Sequence, residues 1–252
     1  MRRVLFFFLL FISPLVVADE VKVAVAANFL GALQALAPVF EQQTSHRLLI
    51  SSGSTGKLYA QIRNGAPYEV FLAADAKHPQ LIEEEGLTVS GSRYSYAVGR
   101  LVAWSADPAR MCANPQCLTQ PGIRRLAIAN PLTAPYGRAA QQSLEAMGAW
   151  AALQPRIVRG EDVGQAFQFV ATGNAELGLV ALSQVLSPNN TFSARYWEIP
   201  QKFYDPIAQD MVLLKQGQAN PATRAFMEFM KSPLARDIIQ RYGYGLPRTS
   251  LR

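Results

Sequence analysis

Short apolar runs alternate along the chain with segments whose apolar residues recur at helical spacing. The first run, 21–26, is followed by Leu30, Leu33, Leu36 and Phe40, which lie three or four residues apart. Further apolar runs predict strands at 47–51, 70–74, 101–105, 126–129, 156–158, 177–180 and 207–214, and helical spacing predicts helices at 55–64, 137–147, 162–172, 221–230 and 233–242. Strands that alternate with helices in this way indicate parallel pairing through right-handed crossovers. The pattern predicts an α/β fold.

The alternation of strands and helices restarts after about residue 96, and the chain is expected to cross back near residue 203. We therefore predict a first lobe of residues 19–96 and 203–252 and a second lobe of residues 97–202. Each lobe is expected to be a mainly parallel sheet flanked by helices, with a ligand cleft between the lobes that closes by hinge bending. Pro38 lies inside the first helix and predicts a kink or break there.

The first eighteen residues have the composition of a secretory signal peptide. Arg2 and Arg3 precede an apolar run at 4–12, and small residues end the segment at 16–18. This run is shorter than the roughly 20 apolar residues of a membrane span, although an uncleaved membrane tether stays open as an alternative. We expect cleavage after Ala18 and, since no lipid-attachment cysteine follows, a soluble periplasmic protein.

The charge of the chain excludes one class of partner. Without residues 1–18 the chain keeps 234 residues, of which 22 are basic and 18 acidic, so its formal charge is +4. The basic residues are spread along the sequence with no run of them, which argues against nucleic acid binding. The length is sufficient for lobes that each have an apolar core.

The two cysteines, Cys112 and Cys117, are separated by four residues. In an oxidising compartment such a pair can close a surface loop, so we predict a disulfide between them. The alternative is a metal or redox pair. Zinc would need two further ligands, and His46 and His78 have no metal-like spacing, so the disulfide is favoured.

Polar, nearly uncharged turns connect several predicted strands to the helices that follow them. These turns are Ala27-Asn28, residues 52–55, residues 135–137 and residues 162–164. Helix N-termini carry unpaired N–H groups and a partial positive charge, and in parallel sheets such turns gather at the carboxyl edge. Turns of this kind, brought to one cleft, predict a receptor for a small oxyanion.

Each candidate residue has a functional and a structural interpretation. Asn28 is expected to act as the N-cap of the first helix, as an amide donor to the ligand, or as both. Among the hydroxyls of residues 51–55 we favour Thr55, then Ser54, as ligand donors, with simple helix capping as the alternative. The Gly-Ser-Thr-Gly-Lys sequence that ends at Lys57 is not a nucleotide-binding loop, because its spacing is wrong.

Two further candidates belong to the second predicted lobe. Tyr136 follows a loop stiffened by two prolines, and Gly137 allows close backbone approach at the helix start. Val163 can offer only its backbone N–H at a first helical turn. Asp162 is expected to be an N-cap that points away from the ligand.

A secreted hydrolase is the alternative from another functional class. Ser51, Ser52, Ser54 and His46 supply suitable residue types. There is no Gly-x-Ser-x-Gly sequence, however, and no pair of carboxylates at a strand end. We expect no catalytic activity.

Several segments together resemble the periplasmic molybdate-binding and tungstate-binding proteins of ABC transporters, over nearly the whole chain after residue 18. The segments are 25–29, 51–62, 64–67, 73–75, 130–137 and 163–166. The resemblance implies that Ala27, Asn28, Thr55, Tyr136 and Val163 contact molybdate or tungstate. It also implies a membrane permease as partner, and we expect a monomer with no cofactor and no direct metal-cation ligand.

The sequence departs from the family in ways that bear on the ligand shell. One branch of the family has serine where this chain has Asn28, and serine is frequent where it has Thr55. Another branch has a tyrosine after the strand that ends near Val180, where this chain has Ala181 and Leu182. We therefore expect the asparagine-type shell, with no contact from Ala181. Receptors for sulfate or phosphate remain the alternatives within the same class.

Overall fold

The computed structural model describes residues 19–110 and 113–247. The predicted signal peptide, residues 1–18, and Cys112 lie outside the described residues. The cleavage site and the disulfide between Cys112 and Cys117 therefore stay predictions.

The strands form two five-stranded sheets with the same pattern. The strands are β1 Glu20–Ala26, β2 Arg47–Gly53, β3 Val70–Leu72, β4 Tyr94–Gly99, β5 Leu101–Trp104, β6 Leu126–Ala129, β7 Ile157–Gly160, β8 Leu177–Ala181, β9 Tyr196–Glu198 and β10 Ile207–Leu213. The first sheet has the order β2-β1-β3-β10-β4 and the second the order β7-β6-β8-β5-β9. In each sheet the fourth strand is antiparallel to both neighbours and the other pairs are parallel. Four of the five strands thus run in one direction, which confirms the mainly parallel sheets.

Helices flank both sheets. They are α1 Leu30–Thr44, α2 Thr55–Arg63, α3 Lys77–Glu84, α4 Pro135–Ala146, α5 Trp150–Leu153, α6 Val163–Ala171, α7 Leu182–Val185, α8 Pro221–Phe229 and α9 Pro233–Arg241. Helix α1 runs unbroken through Pro38, so the break considered for this helix does not occur. The C-terminal helices α8 and α9 pack into the same apolar cluster as α1 and the first sheet.

The fold is the two-lobed architecture predicted from the sequence. Phe40 and Phe226 meet edge to face in the first lobe, with ring centroids 5.4 Å apart. Trp104 is fully buried in the second lobe and stacks on Phe167 at 4.5 Å. Burial of such a ring contributes about 1.5–3 kcal/mol, so each lobe has a substantial core of its own.

The change from one sheet to the other falls at Arg100. Strand β4 pairs with β10 as far as Gly99, three residues beyond the predicted boundary at residue 96, and β5 begins the second sheet at Leu101. The chain returns between Glu198 and Ile207, a segment that contains residue 203. In the described part of the chain, no helix is long and apolar enough to cross a membrane.

Candidate functional site

The predicted turns converge on one small cavity between the lobes. Each follows the carboxyl end of a strand: β1, β2, β6 or β7. The volume open to the centre of a water molecule is about 10 Å³, so the cavity is small. It is lined by Ala26, Ala27, Asn28, Gly53, Ser54, Thr55, Ala74, Ala134, Pro135, Tyr136, Asp162 and Val163. All five residues predicted to bind the ligand are therefore brought together.

The lining of this cavity is almost free of charge. Asp162 is its one ionisable acid or base among the described lining residues, apart from the phenol of Tyr136. Asp162 Oδ1 accepts a hydrogen bond of 3.0 Å from the backbone N–H of Gln165, so its carboxylate caps α6 as predicted. Lys57 is exposed and pairs with Glu161 of the other lobe at 2.6 Å. The electrostatic character of the cavity therefore comes chiefly from backbone and hydroxyl groups.

Two hydroxyl groups at the start of α2 are buried at the cavity. The Ala74 N–H donates to Thr55 Oγ1 at 3.0 Å, which leaves the Thr55 hydroxyl hydrogen available. Ser54 occupies the N-cap position without a side-chain cap bond, and its buried Oγ has no partner among the described residues. Since buried polar groups are nearly always paired, the Ser54 hydroxyl needs a partner that the described residues do not supply.

The capping role expected of Asn28 is wrong. Asn28 lies in a short 3-10 helix, Ala27–Phe29, and Phe29 occupies the N-cap position of α1. The Asn28 side chain turns into the first lobe instead, where Nδ2 donates to Gln209 Oε1 and to the Tyr244 hydroxyl, each at 3.0 Å. Because the Asn28 amide is bonded to residues distant in sequence, it does not cap α1 as its local sequence suggests.

The Tyr136 side chain lies between the lobes. Its ring is 2% exposed and its hydroxyl lies 3.5 Å from Gln209 Nε2. Burial raises the pKa of the Tyr136 phenol well above its ordinary value, and hydrogen bonds from Gln209 and the Arg100 backbone partly oppose this shift. Gly137 is required next to it, because a Cβ there would overlap the Ala129 carbonyl. The tyrosine N–H stands in the first turn of α4, as predicted.

Ala27 and Val163 face each other across the cleft through their turns. Val163 is the first residue of α6, and its N–H has no intrahelical acceptor at that position. A Cβ added to the next residue, Gly164, would lie 3.6 Å from Ala27 Cβ. The first turn of α6 therefore packs on the 3-10 turn of the other lobe, and both turns line the cavity.

Three residues behind the site were missed in the sequence. Ser183 Oγ and the Tyr244 hydroxyl both donate to the Asn28 carbonyl, at 2.8 and 2.7 Å. Gln209 is fully buried in β10. The signal available for Gln209 was a pair of polar residues, Gln209 and Asp210, inside an otherwise apolar strand. Nothing in the local pattern marks Ser183 or Tyr244.

The described residues include no group of three or more histidine, cysteine, aspartate or glutamate side chains that could hold a metal ion. The donors at the cavity are N–H and O–H groups, which suit an anion. The chemistry of the site is therefore that of anion binding through hydrogen bonds.

Comparison with known proteins gives consistent matches over nearly the whole chain. Residues 21–245 match the family model described as bacterial extracellular solute-binding protein. The chain is 49% identical over 229 residues to the molybdate-binding protein ModA of Azotobacter vinelandii, covering 91% of each. It is 44% identical over 227 residues to ModA of Rhodobacter capsulatus, covering 90% of this chain and 88% of that relative.

A solved structure shows the same arrangement of the two lobes. The periplasmic molybdate-binding protein of Azotobacter vinelandii superimposes with a TM-score of 0.87 at 44% sequence identity, covering 91% of this chain and 100% of the other. The residues matched by the family model span both sheets and every turn that lines the small cavity.

Proposed function

The chain belongs to the bacterial extracellular solute-binding protein family, and on that premise we propose that it captures molybdate, and also tungstate, in the cleft between its lobes. The relatives at 44–49% identity are named as molybdate-binding proteins. The bound ion is a ligand to be delivered and not a cofactor. A membrane permease of an ABC transporter is the partner that receives it.

The observation that carries the proposal is the lining of the small cavity, which holds no basic residue and a single acid, Asp162, among the described residues. Molybdate is a dianion, and helix N-termini stabilise anions through N–H groups and the helix dipole without a countercharge. Asp162 is held as the cap of α6. A receptor for hydrogen phosphate would instead profit from an acceptor facing the proton of its ligand. The donor set therefore favours a fully deprotonated oxyanion.

We assign the contacts to the residues predicted from the sequence. Ala27, Asn28, Tyr136 and Val163 would donate backbone N–H groups, and Thr55 would add its hydroxyl. Ser54 joins this set because its buried hydroxyl is unpaired among the described residues. A rigid cage of such donors selects by radius, so it separates molybdate and tungstate from the smaller sulfate but hardly from each other.

The remaining functional expectations follow from the same assignment. The protein is proposed to act in the periplasm as a monomer and to have no catalytic activity. The Lys57–Glu161 ion pair and the bond from the Gly56 N–H to the Thr133 carbonyl, at 2.8 Å, join the two lobes next to the cavity. Such contacts would hold the closed, liganded form that a permease recognises.

Calorimetric titration of the protein expressed from the full sequence tests this proposal. Molybdate, tungstate, sulfate and phosphate are added separately at one salt concentration. We expect one-to-one binding of the first two ions, with sulfate and phosphate at least about a hundredfold weaker. Preferential binding of sulfate or phosphate would favour the alternative receptors, and silence from all four ions would contradict oxyanion capture.

Matched substitutions then locate the site. Thr55→Val removes one hydroxyl donor and is expected to weaken molybdate binding by about tenfold or more, because hydrogen bonds to charged groups contribute about 1.5–3 kcal/mol. Thr223→Val is its control, since Thr223 Oγ1 is also buried and unpaired in the described structure but lies in α8. The control for Ser54→Ala is Ser143→Ala, which changes a fully buried serine in α4 whose hydroxyl donates to the Ala139 carbonyl. Equal losses in variant and control would contradict the assignment.

A further inference from the structure

Gln209 connects two of the proposed ligand-binding residues from behind the site. Its Oε1 accepts from Asn28 Nδ2 and from the Tyr96 hydroxyl, each at 3.0 Å. On the other side of the amide, Nε2 lies 3.5 Å from the Tyr136 hydroxyl. Gln209 is fully buried, so these groups are the surroundings that fix its amide.

The orientation of the Asn28 amide is poorly matched to a dianion. Both hydrogens of Nδ2 are donated into the first lobe, to Gln209 and Tyr244, and Oδ1 is buried with no partner in the described structure. An unpaired buried acceptor is costly, and an acceptor on a residue that lines the cavity opposes an ion that carries no proton. An amide group presents either its oxygen or its nitrogen by turning over.

The two amides can only turn over together. If Asn28 alone reversed, its Oδ1 would face Gln209 Oε1, and two acceptors would meet. If both reverse, Gln209 Nε2 donates to Asn28 Oδ1 across the same 3.0 Å separation. The Tyr136 hydroxyl, which accepts from the Arg100 backbone, then donates to Gln209 Oε1. The Tyr244 hydroxyl, which lies 3.0 Å from the reversed Oδ1, turns its hydrogen from the Asn28 carbonyl to Oδ1, and the carbonyl keeps its bond from Ser183. The Asn28 nitrogen then replaces the unpaired oxygen.

We propose that Gln209 is a positioning residue that sets the direction of the Asn28 amide and thereby selects fully deprotonated oxyanions. In the liganded protein, hydrogen bonds run from Tyr136 through Gln209 to Asn28, and Asn28 Nδ2 donates to the ion. The opposite direction presents Oδ1 and suits an oxyanion that carries a proton, such as hydrogen phosphate. This inference rests on the proposed function.

The direction of the pair is measured by NMR on protein expressed from the full chain with ¹⁵N-labelled glutamine. In the liganded protein we expect nuclear Overhauser effects from the Gln209 amide protons to the Tyr96 ring. Effects to the Tyr136 ring instead would overturn the inference. The Gln209→Met variant identifies the Gln209 signals by their loss, and the main readout uses the unsubstituted protein, so it does not depend on whether a variant folds.

Affinity supplies an independent readout. Gln209→Met is expected to weaken molybdate binding by about tenfold and to reduce the ratio of molybdate to phosphate affinity, which a purely structural role would leave unchanged. In an Asn28→Ala background the Gln209→Met substitution should weaken molybdate binding by less than about twofold, because Gln209 acts through Asn28. If the Gln209→Met variant binds molybdate within twofold of the unsubstituted protein, the role of Gln209 is overturned and the proposed function is not affected. Failure of the unsubstituted protein to bind any oxyanion would overturn the proposed function as well.

Discussion

Replacing Gly56 with alanine is expected to weaken oxyanion binding without weakening the fold. Gly56 is the second residue of α2, and its N–H donates to the Thr133 carbonyl of the other lobe at 2.8 Å. A Cβ at this position would lie 3.0 Å from Thr133 O and 3.2 Å from Thr133 Cα. Both are backbone atoms, so no side-chain rotation relieves the contact. The added methyl group therefore opposes closure of the cleft.

The size of the effect follows from these contacts. Overpacking costs about 1–3 kcal/mol, and a strained or lost hydrogen bond costs about 0.5–1.5 kcal/mol. If the lobes separate slightly to share the strain, the closed form is destabilised relative to the open form by about 1.5–3 kcal/mol. The dissociation constant for molybdate then rises by about ten- to a hundredfold. Alanine is favoured over glycine within a helix by up to about 1 kcal/mol, so the melting temperature without ion should stay equal or rise.

The assay combines calorimetric titration with thermal unfolding, with and without molybdate. The control is Gly122→Ala, because a Cβ at Gly122 meets no atom within 4 Å. The control should bind as tightly as the unsubstituted protein. A Gly56→Ala variant that binds molybdate within twofold of the unsubstituted protein would refute the reasoning, because it would show that the lobes do not approach at this point in the liganded form.

Two further predictions concern pH and salt. Burial raises the pKa of Tyr96, Tyr136 and Tyr244 above the ordinary value of 10.0. Above pH 10 the unfolded chain loses these protons and the folded protein keeps them, so the free energy of unfolding should fall by about 1.4 kcal/mol per pH unit for each tyrosine. Urea unfolding at pH 9–11 measures this slope. A Tyr96→Phe variant with the same slope as the unsubstituted protein would contradict the prediction. Lys57→Met removes the ion pair with Glu161 between the lobes, whose side chains are 48% and 68% exposed. Molybdate affinity should therefore fall by less than about fivefold, and the difference should vanish in 0.5 M salt. A larger loss that persists in salt would mean that Lys57 itself attracts the ion.

Local patterns predict the parts of the fold that depend on local physics. The strand, turn and helix units are visible because periodicity and turn chemistry act over a few residues. Parallel pairing then brings the turns to one edge, which is why Thr55 and Val163 were placed correctly at helix starts. Helix α3 was missed, since its short sequence has only Pro79 and Ile82 buried.

The parts that could not be predicted depend on contacts distant in sequence. Asn28 is 181 residues from Gln209 and 216 from Tyr244, and these partners decide where its amide points. No rule of helix capping contains that information. Ser183 is likewise recognisable only once α7 is packed against the 3-10 turn that contains Asn28. The ligand-facing groups can be inferred from turns, whereas the groups that orient them require the fold.

Asp162 separates two explanations of selectivity, because it is the one carboxylate residue among the described residues that line the small cavity. Asparagine caps helices about as well as aspartate, so Asp162→Asn should keep the bond to the Gln165 N–H and remove only the negative charge. At a solvent-like dielectric the repulsion between this charge and a dianion is about 1 kcal/mol, so molybdate affinity should rise about fivefold.

Sulfate carries the same charge as molybdate, so the same substitution should raise its affinity by the same factor and leave their ratio unchanged. A size filter made of fixed donors requires that constancy, because the radius of the cage does not depend on the charge of Asp162. Titration of both ions against Asp162→Asn measures the ratio directly. If sulfate gains several-fold more than molybdate, the carboxylate and not the cage radius excludes sulfate, and the account of selectivity by size is wrong.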